Sequence, residues 1–251
     1  MTAGPDRRIH SVENAFDILS IVSENKGATL TDIADEVGLS ESTTHTYLET
    51  LRHLEFLIKR NGTYELSLKF LHLGGRTRNT YRIYGKSQPE LRELYRDTGQ
   101  MVHLAIEQHD SLVYLERIDP DVDVGLSGHV GQRIGFHAAA PGKAILAHLP
   151  AEQVESIVSR YGLPAHTEET ITDRTALAEE LERVRERGYA VDDEEVFRNH
   201  QEIAWPVFVD GAVEGAIGIA GPKTEMETGR DDVVEMLRSA ADRIELKLEH
   251  D

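Results

Sequence analysis

The segment LTDIADEVGLSESTTHTYLETLRHLEFL, residues 30–57, restricts the folds open to this chain more than any other. Ile33, Ala34 and Val37 recur at helical spacing, Gly38 interrupts them, and Ser40 is placed to cap a second helix carrying Tyr47, Leu48, Leu51 and Leu54. The small Ala34 lets two helices cross closely, and Gly38 supplies the positive φ of a tight turn between them. Directly downstream, Phe56-Leu57-Ile58 and Thr63-Tyr64-Glu65-Leu66 flank Asn61-Gly62, a strong two-residue hairpin signal. An upstream stretch, residues 12–22, puts Val12, Ala15, Phe16, Leu19 and Val22 on one helical face. Three helices and a hairpin make a winged helix-turn-helix, a DNA-reading unit. Helix pairs of this kind also occur in small domains that bind nothing, and the hairpin and third helix weigh against that plainer assignment.

At 251 residues the chain has room for a second core beyond this unit. We expect a DNA-binding domain over residues 1–75, a linker or linking helix over 76–88, and a second domain over 89–251. With no cysteine, neither a disulfide framework nor a thiolate metal site is available. The opening MTAGPDRRIH lacks the apolar core of a signal peptide, and no run approaches the roughly eighteen apolar residues of a membrane span. A soluble, cytoplasmic protein with no membrane partner is the expectation. The net charge of −18 opposes DNA binding, but it is unevenly spread. Residues 1–80 hold nine Lys or Arg against eleven Asp or Glu, a net of −2, whereas residues 81–251 hold eighteen against thirty-four, a net of −16. Only seven of the 27 basic residues are lysine. An acidic, lysine-poor surface fits a halophilic protein, because screening shortens to about 3 Å in roughly 1 M salt and bulk acidity then repels DNA little.

The remainder mixes strands and helices without βαβ spacing. Strands are expected over residues 101–108, 112–118, 122–126, 202–209 and 212–220, the last two joined at Asp210-Gly211. Helices are expected from Pro89 to near Gly99 and over residues 142–149, 151–161, 175–187 and 231–248. The fold class that follows is α+β, with an antiparallel sheet carrying helices on its faces.

From Ser11 to the C-terminal helix the sequence resembles an IclR-type transcriptional regulator. The matching pieces are SVENAFDILS, LTDIADEVGLSESTTHTYLETL, YELSLKFLHLG, GQRIGFHAAAPGKAILAHLP, ITDRTALAEELERVRERGYAVDDEE and the closing IAGP, in that order. The resemblance implies a winged helix-turn-helix followed by a GAF-like or profilin-like effector domain. It also implies a homodimer or homotetramer acting on a double-stranded DNA operator, as repressor or activator.

By the same resemblance the recognition helix is residues 40–50, and we take Ser40, Ser42, Thr43, His45 and Thr46 as DNA-facing candidates. Hydroxyls bond phosphates or either kind of base partner, and His45 suits a phosphate or a guanine acceptor. Arg52, Lys59, Arg60 and Tyr64 are candidates for the sugar-phosphate backbone, and Arg7 for a flexible arm. Glu41 and Thr46 stand where the family favours Lys and Arg. That departure supports an alternative: a small-molecule sensor or interaction protein whose helix-turn-helix serves oligomerisation.

The resemblance further implies an effector pocket formed by Ile134 and Phe136 as apolar wall, Ala140 and Pro141 as backbone, the acid Asp192, then Glu202, Gly218 and Ala220. Relatives that bind small carboxylates carry Cys at the position of Glu202 and Ser at those of Gly218 and Ala220. Two hydroxyls lost and a carboxylate gained argue for a hydroxylated or cationic effector. His103, His129 and His137 lack HxH or HExxH spacing and read as structural, so neither metal nor cofactor is expected. There is no G-x-S-x-G elbow and no cysteine nucleophile, and GAIGIAGPKT does not fit a phosphate loop, so the chain does not read as an enzyme.

Overall fold

The computed structural model describes residues 8–120 and 128–250. Arg7 and the strand expected over 122–126 lie outside the described residues. Within the chain two units separate, Met1–Thr77 and Arg78–Asp251.

In the first unit, α1 (His10–Glu24) is followed by β1 (Ala28–Thr29), α2 (Leu30–Val37) and α3 (Glu41–His53), then β2 (Leu57–Arg60), β3 (Thr63–Leu66) and α4 (Lys69–Asn79). Local chemistry sets each boundary. Thr29 and Asp32 form a reciprocal capping box at the start of α2, Gly38 stops that helix at φ +72°, and the Ser40 hydroxyl accepts the Thr43 amide to start α3. In the hairpin Arg60 pairs with Thr63, and the two loop residues, Asn61 and Gly62, have φ of +51° and +90°, the left-handed pair an Asn-Gly turn supplies. Ile18, Leu19 and Val22 of α1 pack on Ile33, Leu48, Leu51, Leu57 and Tyr64. The apolar face of α1 is rotated from the expected one: Val12 and Phe16 are exposed, at 50% and 63%, and Ile18 and Ile21 take the core.

The second unit begins earlier than the expected residue 89. Its first helix, α5 (Arg82–Thr98), buries Ile83 and Ser87 and holds Pro89 in its interior, where the ring removes an amide donor without ending the helix. The strands are β4 (Met101–Gln108), β5 (Ser111–Ile118), β6 (Arg133–Ile134), β7 (Ala190–Asp193), β8 (His200–Val209) and β9 (Ala212–Pro222). They form one antiparallel sheet in the order β6-β5-β4-β9-β8-β7. The helices are α6 (Ala140–Leu146), α7 (Ala151–Tyr161), α8 (Arg174–Arg187), α9 (Lys223–Thr228) and α10 (Arg230–Glu249). Strand alternation divides the core. Val102, Leu104, Ile106, Ile203, Ile217 and Ile219 pack with Leu91 and Leu94 of α5 and Leu237 and Ile244 of α10. Ala105, Tyr114, Ala190, Ala204 and Ala216 pack with Ala144 and Ile145 of α6 and Leu177, Leu181 and Val184 of α8. Among the described residues no helix is long and apolar enough to cross a membrane.

Candidate nucleic-acid interface and ligand pocket

Helical spacing in α3 turns Thr44, Leu48 and Leu51 inward and leaves Glu41, Ser42, Thr43, His45, Thr46 and Thr50 exposed. Several of these hydroxyls already have local partners. Ser40 Oγ lies 2.8 Å from Thr43 Oγ1, Thr46 donates to the Ser42 carbonyl at 3.1 Å, and Thr50 donates to the Thr46 carbonyl at 2.8 Å. With their protons so engaged, Thr46 and Thr50 offer acceptor lone pairs outward, while Ser40 serves the helix as its cap. Glu41 accepts from the Thr31 hydroxyl at 2.8 Å, which fixes it in the first turn of α3, where the helix dipole favours an acid. Arg52 is held by both oxygens of Glu49, at 2.8 and 2.9 Å. Arg60 is exposed, 3.6 Å from Glu65.

Tyr64 requires a correction. Its side chain is fully buried in the core of the first unit, so it cannot reach a phosphate. Its strand position alternates inward, and its hydroxyl instead takes a hydrogen bond from Lys59 Nζ at 3.0 Å while that ammonium lies 4.5 Å from the ring centroid.

In the second unit, the face of the sheet turned to α6 and α8 carries polar residues in register. Asp192 pairs with Glu202, Glu202 with Ala220, and Ala220 with Met101; one row away, Ala204 pairs with Gly218 and Gly218 with His103. Asp192, Glu202, Ala220, Met101 and Ile134 line a cavity of about 320 Å³ together with Tyr114, Arg117, Gln132, Arg133, Ala138, Ala139, His166, Phe197 and His200. Ala140 contributes through its amide, which donates to Glu202 Oε2 at 2.9 Å. Pro141 is buried in α6 away from the lining, and Phe136 faces a second cavity of about 360 Å³ with Leu146, Ile157 and Val158. Beside Ile134, Ala138 and Ala139 line the first cavity where Phe136 was expected as apolar wall.

Two carboxyls placed directly opposite on neighbouring strands cannot both ionise cheaply. Burial first, and the facing Glu202 second, push the Asp192 carboxyl up to about 8, against the pull of Lys143. Asp192 Oδ1 accepts the Glu195 amide at 2.6 Å and the Val196 amide at 3.3 Å. Lys143, fully buried in α6, is paired with Glu195. Burial raises the Tyr114 phenol well above its usual range, so it stays a neutral donor.

Several lining residues escape a reading of the sequence by motif. His200 lies two residues before Glu202, and that period of two would have found it. Arg117, Gln132 and His166 come from segments that meet the sheet only in three dimensions. Among the described residues no group of three or more His, Asp and Glu is placed to hold a metal ion.

Two family models match the chain: the IclR helix-turn-helix domain over residues 11–60, and the bacterial transcriptional regulator IclR C-terminal domain over residues 77–246. The chain is 31% identical to the probable HTH-type transcriptional regulator ArcR of Halobacterium salinarum, over 98% of this chain and 96% of that protein. It is also 31% identical to the HTH-type transcriptional regulator KdgR of Escherichia coli, over 96% and 93% of the two chains. Among solved structures it is similar to an IclR homologue from Microbacterium hydrocarbonoxydans complexed with 4-hydroxybenzoate, with a TM-score of 0.84, 25% identity, and coverage of 94% of this chain and 98% of that one.

Proposed function

This chain belongs to the IclR family of transcriptional regulators, and we propose that it binds its operator through α3 and the wing as a homodimer or homotetramer whose recognition helices are respaced by an effector in the second unit. It is a DNA-binding regulator with a C-terminal effector-binding domain, not an enzyme, and the alternative of a helix-turn-helix kept only for oligomerisation is not favoured. The observation that carries the reading is one chain holding both an exposed α3 beside a tight wing and a cavity on a sheet face that carries Asp192 and Glu202.

Ser42, Thr43, His45 and Thr46 are the proposed base and phosphate contacts, with Lys59, Arg60, Arg52 and the arm residue Arg7 on the backbone. Ile134, Asp192, Glu202, Ala220 and the Ala140 amide are the proposed effector contacts, with Phe136, Pro141 and Gly218 behind them. The effector is hydroxylated or cationic; the 4-hydroxybenzoate held by the Microbacterium homologue carries both a hydroxyl and a carboxylate, and only the hydroxyl fits the first of these. Exposed Ile9, Val12 and Phe16 on and before α1, and Leu71 and Leu73 on α4, support association of copies. The acidic, lysine-poor composition supports action in the cytoplasm of a cell with high internal salt.

Control requires that the effector bind one arrangement of the oligomer better than the other, because a ligand of equal affinity shifts nothing. Fluorescence anisotropy with the duplex upstream of the protein's own coding region, in potassium chloride from about 0.2 to 2 M, tests the reading. Saturable binding that resists an unrelated competitor duplex is expected. Equal binding to both duplexes, or none to either, counts against it.

A further inference from the structure

His103 is fully buried on β4, yet neither of its ring nitrogens makes a hydrogen bond. Its Nε2 lies 3.0 Å from Glu202 Oε1, close enough for a bond but outside the alignment of one, and its ring stands edge-on to Tyr114 with centroids 5.1 Å apart. The ring has its place because residue 218, opposite it on β9, is glycine. A Cβ there would fall 2.4 Å from Nε2 and 2.6 Å from Cε1 of His103. Burying an imidazole with idle nitrogens is costly, so its presence beside a pocket carboxylate calls for a role.

Glu202 is the group that faces Nε2 of this histidine. The carboxylate is held on one oxygen by the Ala140 amide and approached on the other by His103. A small rotation completes the second bond and locks the carboxylate in a single orientation toward the cavity. The charges around it favour a neutral ligand group. Arg117 is paired with Asp119, and Lys143 with Glu195. The Asp192 carboxyl, raised to about 8, is protonated at neutral pH. Arg133 on the cavity lining opposes an added cation, and a ligand carboxylate at the floor would meet the Glu202 carboxyl group. A hydroxyl can donate to Glu202 without either conflict.

We propose that the pocket floor reads a hydroxyl group of the effector through Glu202, and that His103, admitted by Gly218, is the positioning residue that orients this carboxylate. The proposal rests on the cavity being the effector pocket and narrows the effector to the hydroxylated class.

The test uses the full-length protein and calorimetric titration with the neutral polyols meso-erythritol and D-sorbitol as hydroxyl probes, and with acetate and tetramethylammonium as an anion and a cation that lack hydroxyls. The hydroxyl probes are expected to bind at least about tenfold more tightly than the other two. His103→Ala should weaken the hydroxyl probes roughly tenfold, with circular dichroism unchanged, and His103→Gln, which keeps a donor, should recover most of the loss. Gly218→Ala should mimic His103→Ala by displacing the ring, and should add nothing in the His103→Ala background. Saturable binding of acetate or tetramethylammonium as tight as that of the hydroxyl probes overturns the proposal, as does wild-type hydroxyl binding by His103→Ala, or no saturable hydroxyl binding at all. Operator binding is read separately by anisotropy: its failure with hydroxyl binding intact would sink the regulator reading and leave the pocket chemistry standing.

Discussion

Asp192 shows how much a single residue owes to its surroundings. Its carboxyl is raised to about 8 by burial and by Glu202 across the strand pair, with Glu195 adding to the rise and Lys143 opposing it from α6. In the unfolded chain the same group ionises near pH 4. Below that pH both states hold the proton and nothing is lost. Between about 4 and 8 only the unfolded chain releases it, so folding stability falls as pH rises through that window and levels off above it. Asp192→Asn retains an Oδ1 to accept the Glu195 and Val196 amides while removing the titration. The variant should therefore gain melting temperature over the parent at about pH 8.5 and gain little at about pH 4.5. Scanning calorimetry at the two pH values decides, and an equal difference at both would remove Asp192 as the titrating group.

At the scale of the element, α3, the proposed recognition helix, carries few cations on its surface. Of its basic side chains Arg52 is committed to Glu49, while Glu41 sits in the first turn tied to Thr31. The binding constant should therefore fall only shallowly with salt for a protein of this kind, because few phosphates lose their counterions. Glu41→Lys is expected to raise affinity at low salt and to steepen the plot of log K against log salt by about one unit, the change for one added phosphate contact. Anisotropy titrations of both proteins on one duplex would show it, and an unchanged slope would place residue 41 away from the backbone. The wing behaves differently, since its two-residue turn fixes the register that buries Tyr64, sets Lys59 opposite it on the same face with Nζ on its hydroxyl, and turns Arg60 to the other face.

For the whole molecule, the two stretches of exposed apolar side chain in the first unit are the surfaces on which the proposed association of copies can be tested. Phe16 is 63% exposed and Leu71 is 72% exposed, far more than isolated folding of this unit calls for. Replacing both with serine is expected to lower the mass measured by sedimentation equilibrium and to weaken operator binding without loss of helix content; an unchanged mass would assign association to other surfaces. The sequence by itself determined the winged helix-turn-helix, because caps at Thr29 and Ser40, the turn at Gly38 and the Asn61-Gly62 hairpin are all decided by neighbours within a few residues. Its apolar alternation likewise marked most strands of the second sheet, and family motifs pointed to Asp192, Glu202 and Gly218. What it could not reveal was the inward turn of Ile18 in place of Phe16, the early start of α5 through Pro89, or the meeting of His103 with Gly218 and Glu202. Those depend on which strand lies beside which and which helix covers the face. Such contacts join residues up to 115 positions apart, as His103 and Gly218 are, and only tertiary packing sets them side by side on neighbouring strands.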